Sequence, residues 1–395
     1  APPRVATYLD NYFVAGSQTD FAFAALFDMK QVQILRGPQG TLYGQPSPTG
    51  AVIMETADPN LDEVEGYVQA SYIADPDGYN LQGAVSVPII EGSLAARIAV
   101  LSDDRDTGTE NIIRGYDEAR NREGIRAKLL WEPTDNFSAK LGYTWLRTEN
   151  SDTLRIVEAA DPASDFQLAA SDRESIAASS DEIIDKKDWL ATLQLDWELE
   201  WGDISWFSGD FGSVNTRDDD LDNTDYPNLI LIETVTKFTK NVQHELRISM
   251  SPTEWWDLQF GGYYADSSAV TDVANYADVP GTGTFEILLD IPTVNETTAI
   301  FAHNDFHFGD TTTLTVGVRY NIFDADNQSG LNNNFLFGGF LDNDNNISDP
   351  LIVIPNALAC VIDQTALPQS VVDSYPEGTC INRRAVEEKE WTGTV

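Results

Sequence analysis

The sequence predicts a mainly β protein: a compact opening unit over residues 1–60, then a run of antiparallel strands that closes as a transmembrane β-barrel. Three observations carry this expectation. Segments of about ten residues with alternating apolar and polar side chains recur from Glu65 onward, the periodicity of a strand that separates two environments. The breaks between them are alternately short and long. In two segments the apolar face begins and ends on an aromatic residue.

The segments fall near 65–74, 79–90, 93–103, 122–131, 137–147, 187–199, 203–214, 238–250, 255–266, 297–308 and 313–324, and a twelfth starts near Trp391. Short breaks lie at 90–92, 132–136, 200–202, 251–254 and 309–312. Long breaks lie at about 104–121, 148–186, 215–237, 267–296 and 325–390, and the break near 75–78 is the short exception in that series. Tight turns on one rim and long loops on the other are the habit of outer-membrane barrels, and a soluble sandwich has no reason to keep that order.

The faces agree with the order. In the fifth segment Phe137, Ala139, Leu141, Tyr143 and Trp145 oppose Ser138, Lys140, Gly142 and Thr144. In the sixth, Trp189, Ala191, Leu193, Leu195 and Trp197 oppose Thr192, Gln194 and Asp196. Eight residues rise roughly 26 Å along a strand. Tilted by about 40°, that gives roughly 20 Å of height, close to the apolar band that aromatic girdles flank. Phe137, Trp145, Trp189 and Trp197 are therefore expected to face lipid.

Composition removes several classes. The 395 residues carry a net charge of −40, which excludes a general nucleic-acid binder and opposes docking onto anionic lipid by charge alone. Hydrophobic residues at 42% exclude a disordered chain. No stretch reaches the ~18 consecutive apolar residues of a membrane helix, which leaves barrel strands open. The chain starts at Ala1 without a signal peptide and stops within what reads as a strand, so both ends are expected to be cut.

Residues 31–60 are unlike the rest. A short strand from Val32 to Leu35 leads into a run of turns with Gly37, Gly40, Gly44 and Gly50, stiffened by Pro38, Pro46 and Pro48, before a second strand from Ala51 to Thr56. A phosphate-binding loop would need a Gly-Lys-Ser/Thr ending and a following helix, and has neither. The stretch from Ile34 to Gly44, Leu-Arg-Gly-Pro-Gln-Gly-Thr-Leu-Tyr-Gly from Leu35, closely resembles the end of the plug domain of TonB-dependent outer-membrane receptors. Val5 to Asp10 looks like an upstream plug strand of that family, and His244 to Arg247 and Leu314 to Tyr320 look like its barrel strands. The sequence departs from the family over 45–51, where paired glycines are usual and only Gly50 remains, and near Met54, where the family commonly has Asn.

The resemblance implies a fold: the C-terminal part of a small α+β plug over 1–60, then about half of a 22-stranded antiparallel transmembrane barrel over 61–395. It implies a plug motif at Arg36, Gly37, Pro38, Gly40, Tyr43, Gly44 and Gly50. It also implies a function. A monomer in the outer membrane of a Gram-negative bacterium, surrounded by lipid and lipopolysaccharide, would take up a small nutrient complex. A TonB-type inner-membrane complex would drive it through a plug segment that is missing here. A ferric siderophore is the expected substrate, with oligosaccharide or cobalamin uptake by the same mechanism as the alternative. A passive porin or surface adhesin is the alternative of another class, which needs no globular unit like 1–60 before its first strand. No cofactor and no enzymatic activity are expected, because no nucleophile has a base beside it in the sequence pattern.

Arg36 is a guanidinium expected inside a barrel, where it must be paired. Parity on the eighth strand puts Gln243, Glu245, Arg247 and Ser249 toward the lumen, and the family locks its plug with Arg–Glu pairs, so Glu245 or another lumen carboxylate is the expected partner. Cys360 and Cys380 lie in the longest loop and are expected to form a disulfide there. His303 and His307 are four apart on a strand, about 13 Å, too far to share a metal ion. Asp342 to Asn346 echoes a calcium loop, but Ile347 stands where its glycine belongs. The acidic run over 217–236 fits a solvated surface or a saline habitat, and a sharper reading is selection against anionic substrates, which a local basic pocket would overrule.

Overall fold

The computed structural model describes residues 5–37, 49–111, 115–151, 175–176, 183–220, 230–279, 283–309, 311–332, 334–337, 352–355 and 380–394. The chain opens with β1 (Val5–Leu9) and β2 (Tyr12–Phe13), a hairpin turned by Asp10 and Asn11. Both turn residues have positive φ, +46° and +66°, which Asp and Asn tolerate better than other side chains and which a two-residue hairpin of this hand requires. A 3-10 turn (Gly16–Gln18) and the short helix α1 (Thr19–Ala24) follow, then β3 (Met29–Arg36) and β4 (Gly50–Thr56). The four strands form one sheet in the order β2-β1-β4-β3, with β1 parallel and β3 antiparallel to β4.

Two glycines of the expected plug motif have structural reasons. Gly37 adopts φ +88° and donates its N–H to Thr49 O at 3.1 Å. A Cβ on Gly50 would lie 2.4 Å from Leu35 O, so only glycine lets β3 approach β4 there. Pro38, Gly40, Tyr43 and Gly44 lie outside the described residues.

The barrel sheet begins at Glu65. Its strands are β5 (Glu65–Ala74), β6 (Asp77–Ile90), β7 (Leu94–Asn111), β8 (Tyr116–Thr134), β9 (Phe137–Asn150), β10 (Ile183–Leu199), β11 (Gly202–Asp220), β12 (Ile230–Thr253), β13 (Trp256–Val279), β14 (Gly283–Phe308), β15 (Thr312–Asn332) and β16 (Cys380–Thr394). Each pairs antiparallel with its neighbour in sequence, in one path from β5 to β16. The twelve expected strands are all present, but most are longer than the alternation showed. Residues 230–237 and 283–296, expected in loops, continue β12 and β14. There the ribbon carries polar and apolar residues on both sides, so period two fades although the backbone ladder does not.

The outward face is apolar. Leu141, Tyr143 and Trp197 are exposed, whereas Leu146, on the opposite parity, is fully buried. Register places Trp145 opposite Trp189 and Phe137 opposite Trp197, so the aromatic ends of two strands coincide as two levels of a girdle. Trp189 lies across Gly212, where any Cβ would overlap its ring. At the short-turn rim Trp131 meets Phe137 edge to face, and Trp255, Trp256 and Phe306 stack.

The inward face packs on the opening unit. Leu9, Tyr12, Val14, Phe21, Phe27 and Met54 form one buried cluster with Leu101, Leu146, Leu190, Phe207 and Phe211 of the wall. Contacts to six successive strands, β7 to β12, mean that the sheet curves around the unit.

Candidate functional site

The site is the polar seam between the opening unit and the wall. Strand parity puts Arg97 of β7, Arg126 and Lys128 of β8, Lys140 of β9, Gln194 of β10 and Asn241 and Gln243 of β12 toward the lumen, and each meets the unit or its linker.

Asp28, held at φ +52°, accepts from Arg97 Nη2 at 2.5 Å and Nε at 2.8 Å, with both side chains buried. The third arm of Arg97 reaches Glu65 at 3.2 Å. Such a fork-on-fork pair fixes direction as well as distance. Arg126 lies 4.3 Å over the Phe27 ring and donates to Phe27 O, to Ala25 O at 2.8 Å and to Thr144 Oγ1 at 3.0 Å. Those carbonyls lie at and just beyond the C-cap of α1, and Ala25 O also accepts from the Phe27 N–H at 2.9 Å.

Lys128 gathers three acceptors: Thr56 O at 3.1 Å, Asp10 at 3.3 Å and Asp58 at 3.5 Å. Asp10 in turn accepts from the Thr56 N–H at 2.9 Å and hydroxyl at 2.6 Å, which ties the β1–β2 turn to the end of β4. Asp58 also pairs with Lys140 at 2.7 Å and Lys30 at 3.0 Å. Burial opposes ionisation of Asp58, but the charge of Lys128 and the charge and hydrogen bond of Lys140, with a bond from Lys30, hold its pKa down at about 2. Asp10 is lowered likewise: burial acts against it and Lys128 and Arg126 outweigh burial.

On the far side Gln243 clasps the backbone of β2, accepting from Phe13 N at 3.1 Å and donating to Phe13 O at 2.8 Å. Tyr12 OH lies 3.2 Å from both Asn241 Oδ1 and Gln18 Oε1, and burial raises its pKa. Asn11 donates to Gln194 at 2.9 Å. A cavity of about 150 Å³ opens among Asp10, Lys30, Asp58, Lys128 and Lys140, space for a few waters beside the ion pairs.

The expected Arg36–Glu245 pair is not among the ion pairs of the described residues. Glu245 is buried on the lumen face, as parity required, but pairs with Arg247 of its own strand. Arg36 lies at the end of β3, the edge strand remote from β12, while β2 is the strand that faces Gln243. The seam also has the opposite polarity to the expected one, with carboxylates on the unit and cations on the wall. The signal was in the sequence, since Arg126 and Lys128 alternate with Ile125, Ala127 and Leu129. Cys360 lies outside the described residues and Cys380 opens β16, so the expected disulfide is not described. His307 is tied to Asp257 at 2.8 Å and Thr313 at 3.1 Å, while residues 342–347 lie outside the described residues.

No model of a protein family matches the chain. The structure is similar to the ferric yersiniabactin uptake receptor of Yersinia pestis, with a TM-score of 0.71 and 17% identity, over 99% of this chain and 52% of that one. The chain has the fold of a TonB-dependent outer-membrane receptor. The siderophore receptor of Acinetobacter baumannii has the same receptor fold, with a TM-score of 0.60 and 13% identity over 98% of this chain and 54% of that one. A stretch of 116 residues, 29% of this chain, is 31% identical to the pesticin receptors of Yersinia pestis and Yersinia enterocolitica and covers 16% of each. The chain thus spans about half the length of the receptor structures it matches.

Proposed function

We propose that the protein is a ligand-gated active transporter that imports a ferric siderophore or similar iron complex across the outer membrane of a Gram-negative bacterium. In this reading residues 1–60 are the C-terminal part of the plug and 61–395 the first half of the barrel, with residues 36–50 as the plug's turn motif. The observation that carries the reading is the seam. A globular unit packs on the concave face of the sheet, yet it is held in part by the ion pairs of Lys128 and Lys140 with Asp10 and Asp58 beside a polar cavity rather than by apolar packing alone. An ion pair that water can reach separates under pulling at modest cost, whereas a permanent wall has no need of one. A TonB-type complex would supply the pull on the plug.

A porin fits poorly, because the unit occupies the lumen that a porin keeps open. Oligosaccharide or cobalamin uptake by the same mechanism stays as the alternative substrate. Two structurally similar proteins are named for uptake of ferric yersiniabactin and import of ferric catecholate, and that supports the siderophore reading. The deciding experiment deletes the complete gene and measures growth under iron limitation with a panel of ferric complexes, beside growth on oligosaccharides and cobalamin. Loss of growth on at least one ferric complex, restored by the gene only in cells with an intact energy-transducing complex, is expected. Unchanged growth on every iron source would overturn the reading.

A further inference from the structure

Asp103 of β7 is a fully buried carboxylate that serves two guanidiniums. It accepts from Arg105 Nε at 3.0 Å and from Arg122 Nε at 2.9 Å, with Arg122 Nη2 also against it, and Asn80 Nδ2 steadies it at 2.9 Å. Among the described residues, both terminal nitrogens of Arg105 and Nη1 of Arg122 make no hydrogen bond, and the two side chains are 43% and 24% exposed. All three residues share the lumen parity of Arg97 and Arg126.

Their height follows from the register. Asp103 faces Arg122, and on the next lumen rung, about 7 Å higher, Arg105 faces Arg120. One rung below Asp103, Leu101 faces Gly124. Leu101 belongs to the buried cluster with the plug, and a Cβ on Gly124 would lie 3.1 Å from the Phe27 ring. The arginines therefore stand on the first rungs beyond the plug, on the long-loop side. Gly78 makes room for them, since a Cβ there would lie 3.1 Å from Arg105 Cγ. Glu118, buried on the same face of β8, adds a second carboxylate, so among the described residues the cluster holds three cations against two anions. Cations opposed across a strand pair repel, and a chain of net charge −40 has no general excess of them to place here.

We propose that Arg105, Arg120 and Arg122 form an oxyanion subsite on the vestibule wall directly beyond the plug, built to take a carboxylate or comparable oxyanion group of the transported ligand. This deepens the transport reading and rests on it. Asp103 is a positioning residue: it holds Arg105 through Nε and Arg122 through Nε and Nη2, which leaves both terminal nitrogens of Arg105 and Nη1 of Arg122 as the donors that suit an oxyanion. The acidic run over 217–236 does not by itself set substrate charge, because a fixed local cluster acts at contact distance while charges farther away are screened beyond about 10 Å.

The test titrates free citrate into the complete receptor in detergent at low salt, with neutral ferrichrome as control. Binding at millimolar citrate that weakens as salt rises is expected. Arg105→Gln and Arg122→Gln should each weaken it about tenfold, or 1.4 kcal/mol, and Arg105→Lys should recover part of the loss. Melting of Arg105→Gln without citrate should be unchanged or higher, which a purely structural role would not give. No citrate binding to the wild type, or equal binding to all variants, overturns the subsite. Receptor-dependent growth on iron complexes with arginine-independent citrate binding leaves transport standing and the subsite fallen. Arginine-dependent citrate binding with no receptor-dependent growth does the reverse.

Discussion

Asp28 of the opening unit and Arg97 of the barrel wall meet in a buried two-bond ion pair across 69 residues of sequence. Removing one partner strands the other charge out of water, at about 3–5 kcal/mol, whereas replacing both with apolar groups of similar size is far milder. Arg97→Met or Asp28→Leu alone should loosen the plug in the complete receptor, and the pair together should restore most of its hold. Uptake of a large antibiotic that the closed receptor excludes is the readout. Additive effects within about 0.5 kcal/mol would deny the coupling.

The Asp58 carboxyl gives a pH window. Its folded pKa, about 2, is below the ordinary 3.8. A depressed carboxylate contributes stability above its unfolded pKa and loses it as pH falls through the folded one, on the order of 2 kcal/mol here. Protease resistance of the plug should be level between pH 8 and 5 by this group and fall between about 4 and 2. In Asp58→Asn that step should shrink, and an unaltered step would assign the loss to other groups.

Docking of the opening unit depends on two wall glycines. A Cβ on Gly209 would lie 2.6 Å from the Tyr12 ring, and one on Gly124 would crowd Phe27. Gly209→Val should cost plug docking about 1–3 kcal/mol while the barrel keeps its strands. Circular dichroism should be unchanged while the plug becomes protease-sensitive. A plug as resistant as in the wild type would refute the contact.

Lipid exposure should depend on height. Leu141 sits midway between the aromatic levels at Phe137 and Trp145. Leu141→Arg should destabilise the membrane-inserted barrel by about 2–4 kcal/mol and Trp197→Arg, at the rim, by about 0–1. Unfolding from vesicles measures both, and equal costs would mean that 141 is not near the midplane.

The sequence alone determined which segments build the barrel sheet and, by parity, which side chains face outward or toward the lumen. A strand between lipid and a polar lumen must alternate, and Phe137, Trp145, Trp189 and Trp197 had to mark its ends. It also marked two turn positions of the opening unit, since Gly37 and Gly50 serve backbone geometries that other residues resist. Strand ends were legible only inside the membrane, because the ribbons at 230–237 and 283–296 carry no single apolar face. The tertiary structure alone decided the partners. Parity puts Glu245, Arg97, Lys128 and Arg122 all toward the lumen, but not at one height or beside one plug strand. The order β2-β1-β4-β3 turns β2 toward Gln243 and leaves Arg36 on the remote edge, so Glu245 pairs with Arg247 instead. Ion pairs act over a few ångströms, and strand register together with the plug's orientation sets which charges come that close.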